Sequence, residues 1–437
     1  MWSYHPELLK TPVPRYTSYP TAAEFSDGAG APEMKQALEA IAPETPFSLY
    51  VHIPFCEQIC WYCGCNTAAA NRLDRVAAYL DALHAEIGLI ATQLAGRGAI
   101  TRIAFGGGSP NAIAPDQFLM LVERLREAFR CKDAPLSVEI DPRHFSQEWA
   151  GMLGALGAGR VSLGVQTFAE HVQRAIGRVQ PQEMIADAVR WLRAAGVGSI
   201  NFDLMYGLPE QSLIDLAETL DTAITMAPDR IALFGYAHVP HLVPRQRRID
   251  GSALPDARLR FDQAMLGHRM LTDAGYAAVG FDHFARAGDA LARAGREGAL
   301  KRNFQGFTDD DATVLIGLGA SAISSFPDRI LQNEKNAGRY RMLVGARRLA
   351  QTRGVFRSHD DQRRGEIIDA LLCGGRADIA AFPDMAARLE PFAARGLIEV
   401  EGTGLRIAQD GTPYARIIAA QFDSYRSPDA RRFSHAL

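Results

Sequence analysis

The sequence predicts an α/β protein built on a parallel sheet covered by helices, and three observations support this fold class. Short apolar runs rich in β-branched residues recur along the chain, as expected of strands that are buried on both faces. Amphipathic helical patterns separate these runs, so that strand and helix alternate. Polar side chains gather directly after the runs, where both a (β/α) barrel and an open doubly wound sheet bind their ligands. These patterns leave the choice between the two folds open.

The predicted elements follow one another from Ser48 onwards. SLYVHI is predicted as the first strand, and a long helix with apolar residues at steps of three and four follows it. ITRIAF is the next strand, and it ends in a run of glycines. Further strands are predicted at LSVEID, RVSLGV, SINFDLM and RIALFGY, with helices between them that include Pro181 to Ala195 and Ser212 to Met226.

The pattern changes after Phe326. Helical segments, including one predicted over Glu334 to Gln351, precede GLIEVEGTGLRIAQDG, which is typical of a two-stranded hairpin. The sequence therefore predicts three parts: an N-terminal arm at residues 1–47 that contributes to the substrate site, a main α/β domain at residues 48–325, and a helical C-terminal domain with a β-wing at residues 326–437.

Composition excludes several classes of function. The 437-residue chain is 47% hydrophobic and 22% charged, which is typical of a protein with a sizeable core. Its formal charge of −3 gives no general attraction to nucleic acid or anionic membranes. No apolar run approaches the roughly 18 residues that a membrane span needs, and the N-terminus lacks the pattern of a signal peptide. We therefore expect a cytoplasmic protein without a nucleic acid partner.

Four of the six cysteines fall within ten residues at the spacing C-x3-C-x2-C-x-C: Cys56, Cys60, Cys63 and Cys65. Thiolates bind zinc and iron–sulfur clusters well. A structural zinc site usually pairs two separate C-x2-C segments, and the isolated Cys131 and Cys373 are poor substitutes for a second one. The spacing therefore favours a 4Fe–4S cluster over zinc, a disulfide or inert thiols.

The C-x3-C-x2-C motif after a first strand resembles the signature of the radical S-adenosylmethionine (SAM) superfamily. Further phrases occur in order between Pro14 and Ser324: PRYTSYPT, YVHIPFC, GGGSP, VEIDPR, LGVQTF, FDLMYGLP, GYAHVP, GFDHFAR, NFQGFT and GLGASAIS. Together they resemble the family of oxygen-independent coproporphyrinogen III oxidases, with Ser109 and Tyr62 as small departures from Thr and Phe. The resemblance implies a partial (β/α) barrel of radical SAM type, with an extended N-terminal arm and a small, mostly helical C-terminal domain.

The resemblance also implies the cofactors. Cys56, Cys60 and Cys63 would ligate a 4Fe–4S cluster, and SAM would bind the remaining iron. Whether one or two SAM molecules bind stays open. Tyr50 and Cys65 are the candidate catalytic residues: Tyr50 would lie near the sulfonium of SAM, where a cation over an aromatic ring is favourable, and Cys65 would be a non-ligand beside the cluster. A packed thiol remains the alternative for Cys65.

The SAM contacts implied by the resemblance come from the ends of several strands. They are Tyr50, Tyr62, Gly107, Gly108, Ser109, Glu139, Gln166, Arg178, Asp203, Ala237 and Ile323. Glycines permit close approach of the backbone to the methionine amino group, and Glu139 can accept a bond from a ribose hydroxyl. Arg178 can pair with a carboxylate.

The implied reaction is the oxygen-independent oxidative decarboxylation of two propionates of coproporphyrinogen III to vinyl groups, which gives protoporphyrinogen IX in haem biosynthesis. A 5′-deoxyadenosyl radical from SAM would abstract hydrogen from a propionate β-carbon, and the substrate radical would then lose carbon dioxide and an electron. Substrate candidates are Arg15, Tyr16, Tyr19, Arg286 and Arg302.

The same resemblance implies a monomer served by an electron donor such as flavodoxin or ferredoxin and by an electron acceptor of unknown identity. Two alternatives stay open within the superfamily. One is a haem chaperone that shares the three-cysteine motif, and the other is a haem-degrading radical SAM methyltransferase.

Overall fold

The computed structural model describes residues 2–10 and 12–426. Its strands, in chain order, are β1 (Pro46–Ile53), β2 (Phe55–Cys56), β3 (Ala68–Ala69), β4 (Ala99–Gly107), β5 (Leu136–Ile140), β6 (Ala158–Gln166), β7 (Ser199–Tyr206), β8 (Arg230–Gly235), β9 (Tyr276–Val279), β10 (His283–Arg286), β11 (Lys301–Asn303), β12 (Gly306–Thr308), β13 (Val314–Leu318), β14 (Ile323–Phe326), β15 (Arg329–Asn333), β16 (Gln351–Phe356), β17 (Arg376–Asp378), β18 (Ile398–Glu401) and β19 (Gly404–Ile407).

The α-helices are α1 (Pro6–Leu9), α2 (Ala31–Glu39), α3 (Leu73–Leu94), α4 (Pro115–Phe129), α5 (Gln147–Ala155), α6 (Glu170–Ala175), α7 (Gln182–Ala194), α8 (Leu213–Met226), α9 (Ala257–Asp273), α10 (Ala290–Glu297), α11 (Ala337–Gly345), α12 (His359–Gly374), α13 (Ala386–Ala393) and α14 (Ala415–Ala419). Short 3-10 helices lie at Ala22–Glu24, Pro110–Ala112, Pro142–His144, Pro244–Arg248, Gly251–Ala253, Pro383–Met385, Gln409–Tyr414 and Ala420–Phe422.

The central sheet has the strand order β16-β15-β14-β13-β1-β4-β5-β6-β7-β8-β10-β9. Its middle, from β13 to β8, is parallel throughout. From β1 to β8 each new strand is added on the same side of the previous one, which is the order of a (β/α) barrel, whereas a doubly wound sheet reverses direction near its middle. The hydrogen-bonded order ends at β16 and β9 without closing. The predicted α/β class and partial barrel are confirmed.

Apolar side chains explain why these segments form strands and helices. All residues of β1 after Pro46 are buried, because helices cover one face of the sheet and the barrel interior lies on the other. Helix α4 buries Phe118, Leu121 and Leu125 at helical spacing against the sheet. Helix α8 begins with Ser212, whose hydroxyl and backbone N–H form a reciprocal capping pair with Asp215.

Antiparallel strands extend the sheet at both ends. β14, β15 and β16 follow β13 at one end, and β10 and β9 follow β8 at the other. The predicted domain boundary at residues 325 and 326 therefore falls inside β14, and the main sheet continues to Phe356. The helix predicted over Glu334 to Gln351 is shorter, since α11 ends at Gly345 and Gln351 begins β16.

The N-terminal arm and the C-terminal region share one hydrophobic cluster. Leu9, Val13, Tyr16 and Tyr19 of the arm pack with the apolar residues of α12, α13 and α14. The predicted β-wing has a third strand, since β17 pairs with β19 beside β18. The division into three domains stays a prediction, and residues 427–437 lie outside the described part of the chain. None of the helices formed by residues 2–10 and 12–426 combines the length and apolar character needed to cross a bilayer.

Candidate functional site

The cysteine loop lies at the carboxyl end of β1, at the mouth of the barrel. Cys56 ends the short strand β2, which pairs with β3. The loop that connects β2 and β3 carries the other three cysteines, and this pairing holds its two ends side by side. Cys60 is buried, Cys56 and Cys63 are partly buried, and Cys65 is exposed. The backbone N–H of Cys65 donates to the Sγ of Cys63 at 3.4 Å. The C-x-C extension therefore folds back onto the third predicted ligand.

Two arginines place positive charge beside the loop. Arg143 and Arg178 donate to the Sγ of Cys60 at 3.3 and 3.2 Å. Both also pair with Asp141, at 2.6 and 3.1 Å. Burial acts to raise the pKa of Asp141, but the two guanidinium groups outweigh it and lower the pKa to about 2. Cationic donors of this kind offset the negative charge that thiolates bring to an iron–sulfur cluster.

The thiols differ in their electrostatics. Hydrogen bonding from Cys65 lowers the pKa of Cys63 to about 6, despite burial, with help from Arg245 and Arg178. Burial raises the pKa of Cys56 to about 12. Because an iron ligand must be a thiolate, the lowered pKa of Cys63 favours ligation by this residue.

The donor chemistry of the loop fits a 4Fe–4S cluster. Across residues 2–10 and 12–426, no three His, Cys, Asp or Glu side chains are grouped so as to hold one metal ion. A cluster makes a different demand, because each thiolate binds a separate iron atom. Three closely spaced thiols flanked by two guanidinium groups meet that demand.

The glycine run at the end of β4 is packed closely on three sides. A Cβ at Gly106 would lie 2.5 Å from Oε2 of Glu139, and one at Gly107 would lie 2.4 Å from the ring of His52. Gly107 also has φ of +108°, which favours glycine. A Cβ at Gly108 would lie 2.5 Å from the carbonyl oxygen of Phe55. The absence of side chains at these three glycines therefore allows Glu139, His52 and the start of the cysteine loop to lie close to the end of β4.

Glu139 and Asp203 line one cavity inside the barrel, with a volume of about 260 Å³. Oε2 of Glu139 accepts the backbone N–H of Gly107 at 3.2 Å. Burial, reinforced by Asp203, raises the pKa of Glu139 to about 7. Asp203 accepts from Ser162 at 2.9 Å and Asn201 at 2.8 Å, and burial raises its pKa too. Two carboxyl groups thus face a space that can take a polar ligand.

Two further predicted SAM contacts, Arg178 and Ser109, already have hydrogen-bond partners within the protein. All five N–H donors of Arg178 have acceptors, on Cys60, Asp141, Gln180 and the backbone of Gly164. A bound carboxylate would therefore have to replace one of them. The Ser109 hydroxyl lies 2.6 Å from Oδ1 of Asn111.

Gln166 is buried at the end of β6 with φ of +67°. The pairing of β6 with β7 is irregular between Gly164 and Gln166. A left-handed backbone at a residue with a side chain costs free energy and recurs at functional sites. The side-chain amide of Gln166 and the guanidinium of Arg178 both lie against Gly164, since a Cβ there would be 3.0 Å from each.

Tyr50 is buried in the middle of β1, and its hydroxyl lies 3.2 Å from Nδ1 of His52. Its ring meets that of Phe304 edge-on at 4.6 Å. Nε2 of His52 lies 3.2 Å from the carbonyl oxygen of Asn66 and 3.4 Å from Oγ of Ser321. Burial lowers the pKa of His52 to about 4, so a neutral imidazole connects Tyr50 with the cysteine loop.

Tyr62 and Ala237 are held together by a residue that the sequence analysis did not select. The side-chain amide of Gln246 donates to the carbonyl oxygens of Tyr62 at 2.8 Å and Ala237 at 3.0 Å. Ile323 does not join them in sheet order, since β14 lies on the far side of β13 and β1 from β8. It follows Ala322, which packs with Tyr50.

The structure brings together only some of the predicted substrate residues. Arg302 donates to the carbonyl oxygens of Arg15 at 3.1 Å and Tyr16 at 3.2 Å. The hydroxyls of Tyr16 and Tyr19 face Asp423 and Ser424 in the C-terminal region, at 2.9 and 3.0 Å. The tyrosine hydroxyls therefore tie the arm down, whereas Arg15 and Arg302 form a basic group.

Arg286 lies apart from this group. It ends β10, which runs antiparallel to β8, and its neighbour Ala285 pairs with Arg230 at the start of β8. Its guanidinium donates to the carbonyl oxygen of Pro228 at 3.1 Å. Arg286 therefore faces the amino ends of the parallel strands, opposite to the cysteine loop.

Sequence reasoning also missed Arg143, His52 and Asn111. Arg143 belongs to VEIDPR and His52 to YVHIPFC, two of the segments that carry the family resemblance. Their membership of these segments could have identified them as site residues. Asn111 bonds the backbone of Asp141 in both directions, at 2.9 and 3.0 Å. Gln246 is buried between the basic residues of Pro244–Arg248.

Comparison with known proteins agrees with this geometry. Residues 50–223 match the family described as the radical SAM superfamily. The chain is 41% identical over 437 residues to an oxygen-independent coproporphyrinogen III oxidase of Bradyrhizobium diazoefficiens, covering 97% of each chain. It is 40% identical over 431 residues to the Escherichia coli protein of the same name, covering 96% of this chain and 94% of that one. The solved structure of coproporphyrinogen III oxidase from Escherichia coli superimposes with a TM-score of 0.90 at 38% identity, over 97% of this chain and 100% of that one.

Proposed function

The chain belongs to the family of oxygen-independent coproporphyrinogen III oxidases within the radical SAM superfamily, and from this premise we propose its function in detail. It is an oxidoreductase that converts two propionates of coproporphyrinogen III to vinyl groups without oxygen and yields protoporphyrinogen IX for haem biosynthesis. The observation that carries the assignment is the match over nearly the whole chain, which includes the arm and the C-terminal region as well as the cysteine motif. A haem chaperone or haem-degrading methyltransferase is the less favoured function, because relatives that match nearly the whole chain are coproporphyrinogen III oxidases.

The cysteine loop would hold the 4Fe–4S cluster through Cys56, Cys60 and Cys63. When bound, the cluster and SAM supply an electron and the 5′-deoxyadenosyl radical that abstracts hydrogen from the substrate. Arg143 and Arg178 lie against Cys60 and stabilise negative charge on its sulfur. Cys65 is not needed as a ligand in this arrangement, and its exposure leaves it free to contact SAM or substrate.

The cavity that holds Glu139 and Asp203 would receive the polar groups of SAM. Both carboxyl groups can accept bonds from ribose hydroxyls, and Glu139 is fixed by the N–H of Gly107. Tyr62 and Ala237, joined by Gln246, would flank the adenine. Tyr50 would place an aromatic face near the sulfonium. Much of the cavity wall is buried, which limits the access of water to a radical.

Several partner assignments extend this proposal. A flavodoxin or ferredoxin would donate the electron for SAM cleavage, and a separate acceptor would take the electron that the substrate loses. We further propose a cytoplasmic monomer that binds one or two SAM molecules. The basic pair Arg15 and Arg302 would meet substrate carboxylates, while Tyr16 and Tyr19 would hold the arm in place.

The test is an anaerobic assay. The purified protein is reconstituted with iron and sulfide, then given SAM, a reductant, coproporphyrinogen III and a cell extract as electron acceptor. Two successive losses of carbon dioxide, with formation of 5′-deoxyadenosine, are the expected result. SAM cleavage without decarboxylation would instead favour the haem-handling relatives.

Cysteine variants provide the matched control. Cys60→Ala should abolish the cluster and both products, because it removes the buried thiol that the two arginines contact. Cys131→Ala removes another buried thiol, outside the loop, and should retain the cluster and its products.

A further inference from the structure

Three arginines from distant segments converge beside the carboxyl end of β8. Arg15 comes from the N-terminal arm, Arg302 from β11 and Arg416 from α14. Arg15 donates to the carbonyl oxygen of Gly235 at 2.7 Å, and Arg302 donates to the carbonyl oxygen of Arg15 at 3.1 Å. The pKa of Arg416 is lowered to about 10. Burial is the main cause, and the positive charges of Arg15 and Arg302 add to it. The three cations are therefore close enough to repel one another.

Protein carboxylates compensate these charges only in part. Asp282 is the carboxylate that interacts with all three arginines, and it also bonds His283 at 2.7 Å. Asp369 interacts with Arg302. Like charges held together in a partly buried site raise the free energy of the protein unless an anion joins them.

Two guanidinium nitrogens in this group have no acceptor. Nη1 of Arg302 and Nη1 of Arg416 are both shielded from solvent, and neither has a hydrogen-bond partner among the described residues. A buried N–H without an acceptor costs about 1–3 kcal/mol, and more when the group is charged. The arrangement therefore suits a ligand that supplies oxygen atoms.

The cavity beside the arginines limits the size of the group that can bind there. Arg15 and Arg416 line a cavity of about 40 Å³ together with Gly235, Phe281 and Asp282. This volume exceeds the roughly 10–15 Å³ that a cavity needs to hold one water, so the cavity has room for a small polar group such as a carboxylate.

Aromatic rings border the same place. The guanidinium of Arg302 lies over the rings of Phe281 and Phe307, at 4.9 and 4.5 Å from their centres, and that of Arg416 lies over Phe281 at 5.6 Å. These rings offer an apolar wall to the body of a ligand whose carboxylate contacts the arginines.

The small cavity and the barrel cavity lie on opposite faces of β8. Phe234 and His283 line the barrel cavity, whereas their chain neighbours Gly235 and Asp282 line the small one, because successive side chains of a strand point to opposite faces. Arg15 spans the end of β8, since it lines the small cavity and its guanidinium lies 5.7 Å from the centre of the Phe234 ring. A molecule that passes around this strand end can place one carboxylate arm in each cavity.

We propose that Arg416 and Arg15, with Arg302 bound behind Arg15, form a carboxylate-binding pocket that anchors one propionate of the tetrapyrrole substrate while another lies in the barrel cavity. This inference rests on the proposed function and adds Arg416 of the C-terminal region to the substrate site. The hydrophobic packing of the arm on the C-terminal region is what brings the two arginines together.

The test compares Arg416→Gln and Arg416→Lys with wild type as reconstituted, cluster-containing enzymes under anaerobic conditions. Loss of a charge-assisted hydrogen bond should raise KM for coproporphyrinogen III roughly ten- to a hundredfold in Arg416→Gln. Arg416→Lys should recover part of this loss. Iron content, the dissociation constant for SAM and substrate-free formation of 5′-deoxyadenosine should stay at wild-type values. Arg363→Gln, which removes an exposed arginine from α12, is the matched control and should keep the wild-type KM.

Two results would overturn the pocket. One is a KM within twofold of wild type in Arg416→Gln, and the other is a loss of SAM affinity as large as the rise in KM. Should Arg416→Gln fail to retain its cluster, Arg15→Gln gives the same test from the exposed arm. Wild-type turnover is measured separately: an enzyme that cleaves SAM but releases no carbon dioxide would refute the proposed function, whereas normal turnover with an unchanged KM would refute only the pocket.

Discussion

Glu86 is a buried carboxyl group in α3 that holds a turn at the edge of the site. Its Oε2 accepts the backbone N–H of Gly319 and the hydroxyl of Tyr340, each at 2.7 Å, and its Oε1 accepts the side-chain amide of Asn333 at 2.8 Å. The turn that begins at Gly319 leads to Ser321, which faces His52. Burial raises the pKa of Glu86 from 4.5 to about 7, although all three partners act to lower it.

Glu86→Gln removes the titrating proton while it keeps the shape of the side chain. The folded wild-type protein retains the Glu86 proton to higher pH than the unfolded chain does, so its free energy of unfolding falls as pH rises from about 4.5 to about 7. Between pH 5 and pH 8, these two pKa values give a loss of about 2.5 kcal/mol. The variant lacks this contribution, so its stability relative to wild type should be about 2–3 kcal/mol poorer at pH 5 than at pH 8.

Urea unfolding followed by tryptophan fluorescence measures this difference in wild type and variant at both pH values. Other titrating groups are common to the two proteins and cancel in the comparison. Glu123→Gln, on an exposed position of α4, is the matched control and should show no such pH dependence. Equal stability differences for Glu86→Gln at pH 5 and pH 8 would show that water reaches the carboxyl group and would refute the reasoning.

Three further predictions concern the site itself. Cys65→Ala should retain a full complement of cluster iron, because Cys65 is exposed and is not a proposed ligand; loss of iron would contradict this. Glu139→Gln should weaken SAM binding roughly ten- to a hundredfold, since it removes a carboxylate acceptor beside Gly107. Equilibrium dialysis of the cluster-containing protein measures this affinity, and an unchanged dissociation constant would count against a ribose contact. Arg143→Gln removes a cationic donor to Cys60 and should lower the reduction potential of the cluster by about 40 mV, equivalent to about 1 kcal/mol. A redox titration followed by electron paramagnetic resonance measures this potential. A potential higher than that of wild type would exclude the assigned role of Arg143.

Features that depend on neighbours in the chain were predictable from the sequence. The four cysteines share one loop, so their spacing, together with the family resemblance of the phrases around them, indicated a cluster. Apolar periodicity located the parallel strands, because burial on both faces demands nearly continuous apolar runs. The glycine run at Gly106 to Gly108 also carried a local signal, since a positive φ and close packing require glycine there.

Strand direction could not be predicted in the same way. Arg286 was expected beside the substrate, yet β10 is antiparallel to β8, and this reversal carries Arg286 to the opposite end of the barrel. The same limit applies to the sheet beyond residue 326, where β15 and β16 continue it. A short apolar segment looks alike whichever way it runs, because its alternation is the same in both directions.

The sequence by itself determined the α/β class, the cysteine loop and the family resemblance, because each is written in residues that are close in the chain. Only the tertiary structure decided which distant charges meet. It placed Arg143 and Arg178 on Cys60, and it brought Arg416 beside Arg15 across about 400 residues. The physical reason is that charged side chains leave no periodic pattern in a sequence. Their partners are set by sheet order and by the docking of the arm on the C-terminal region.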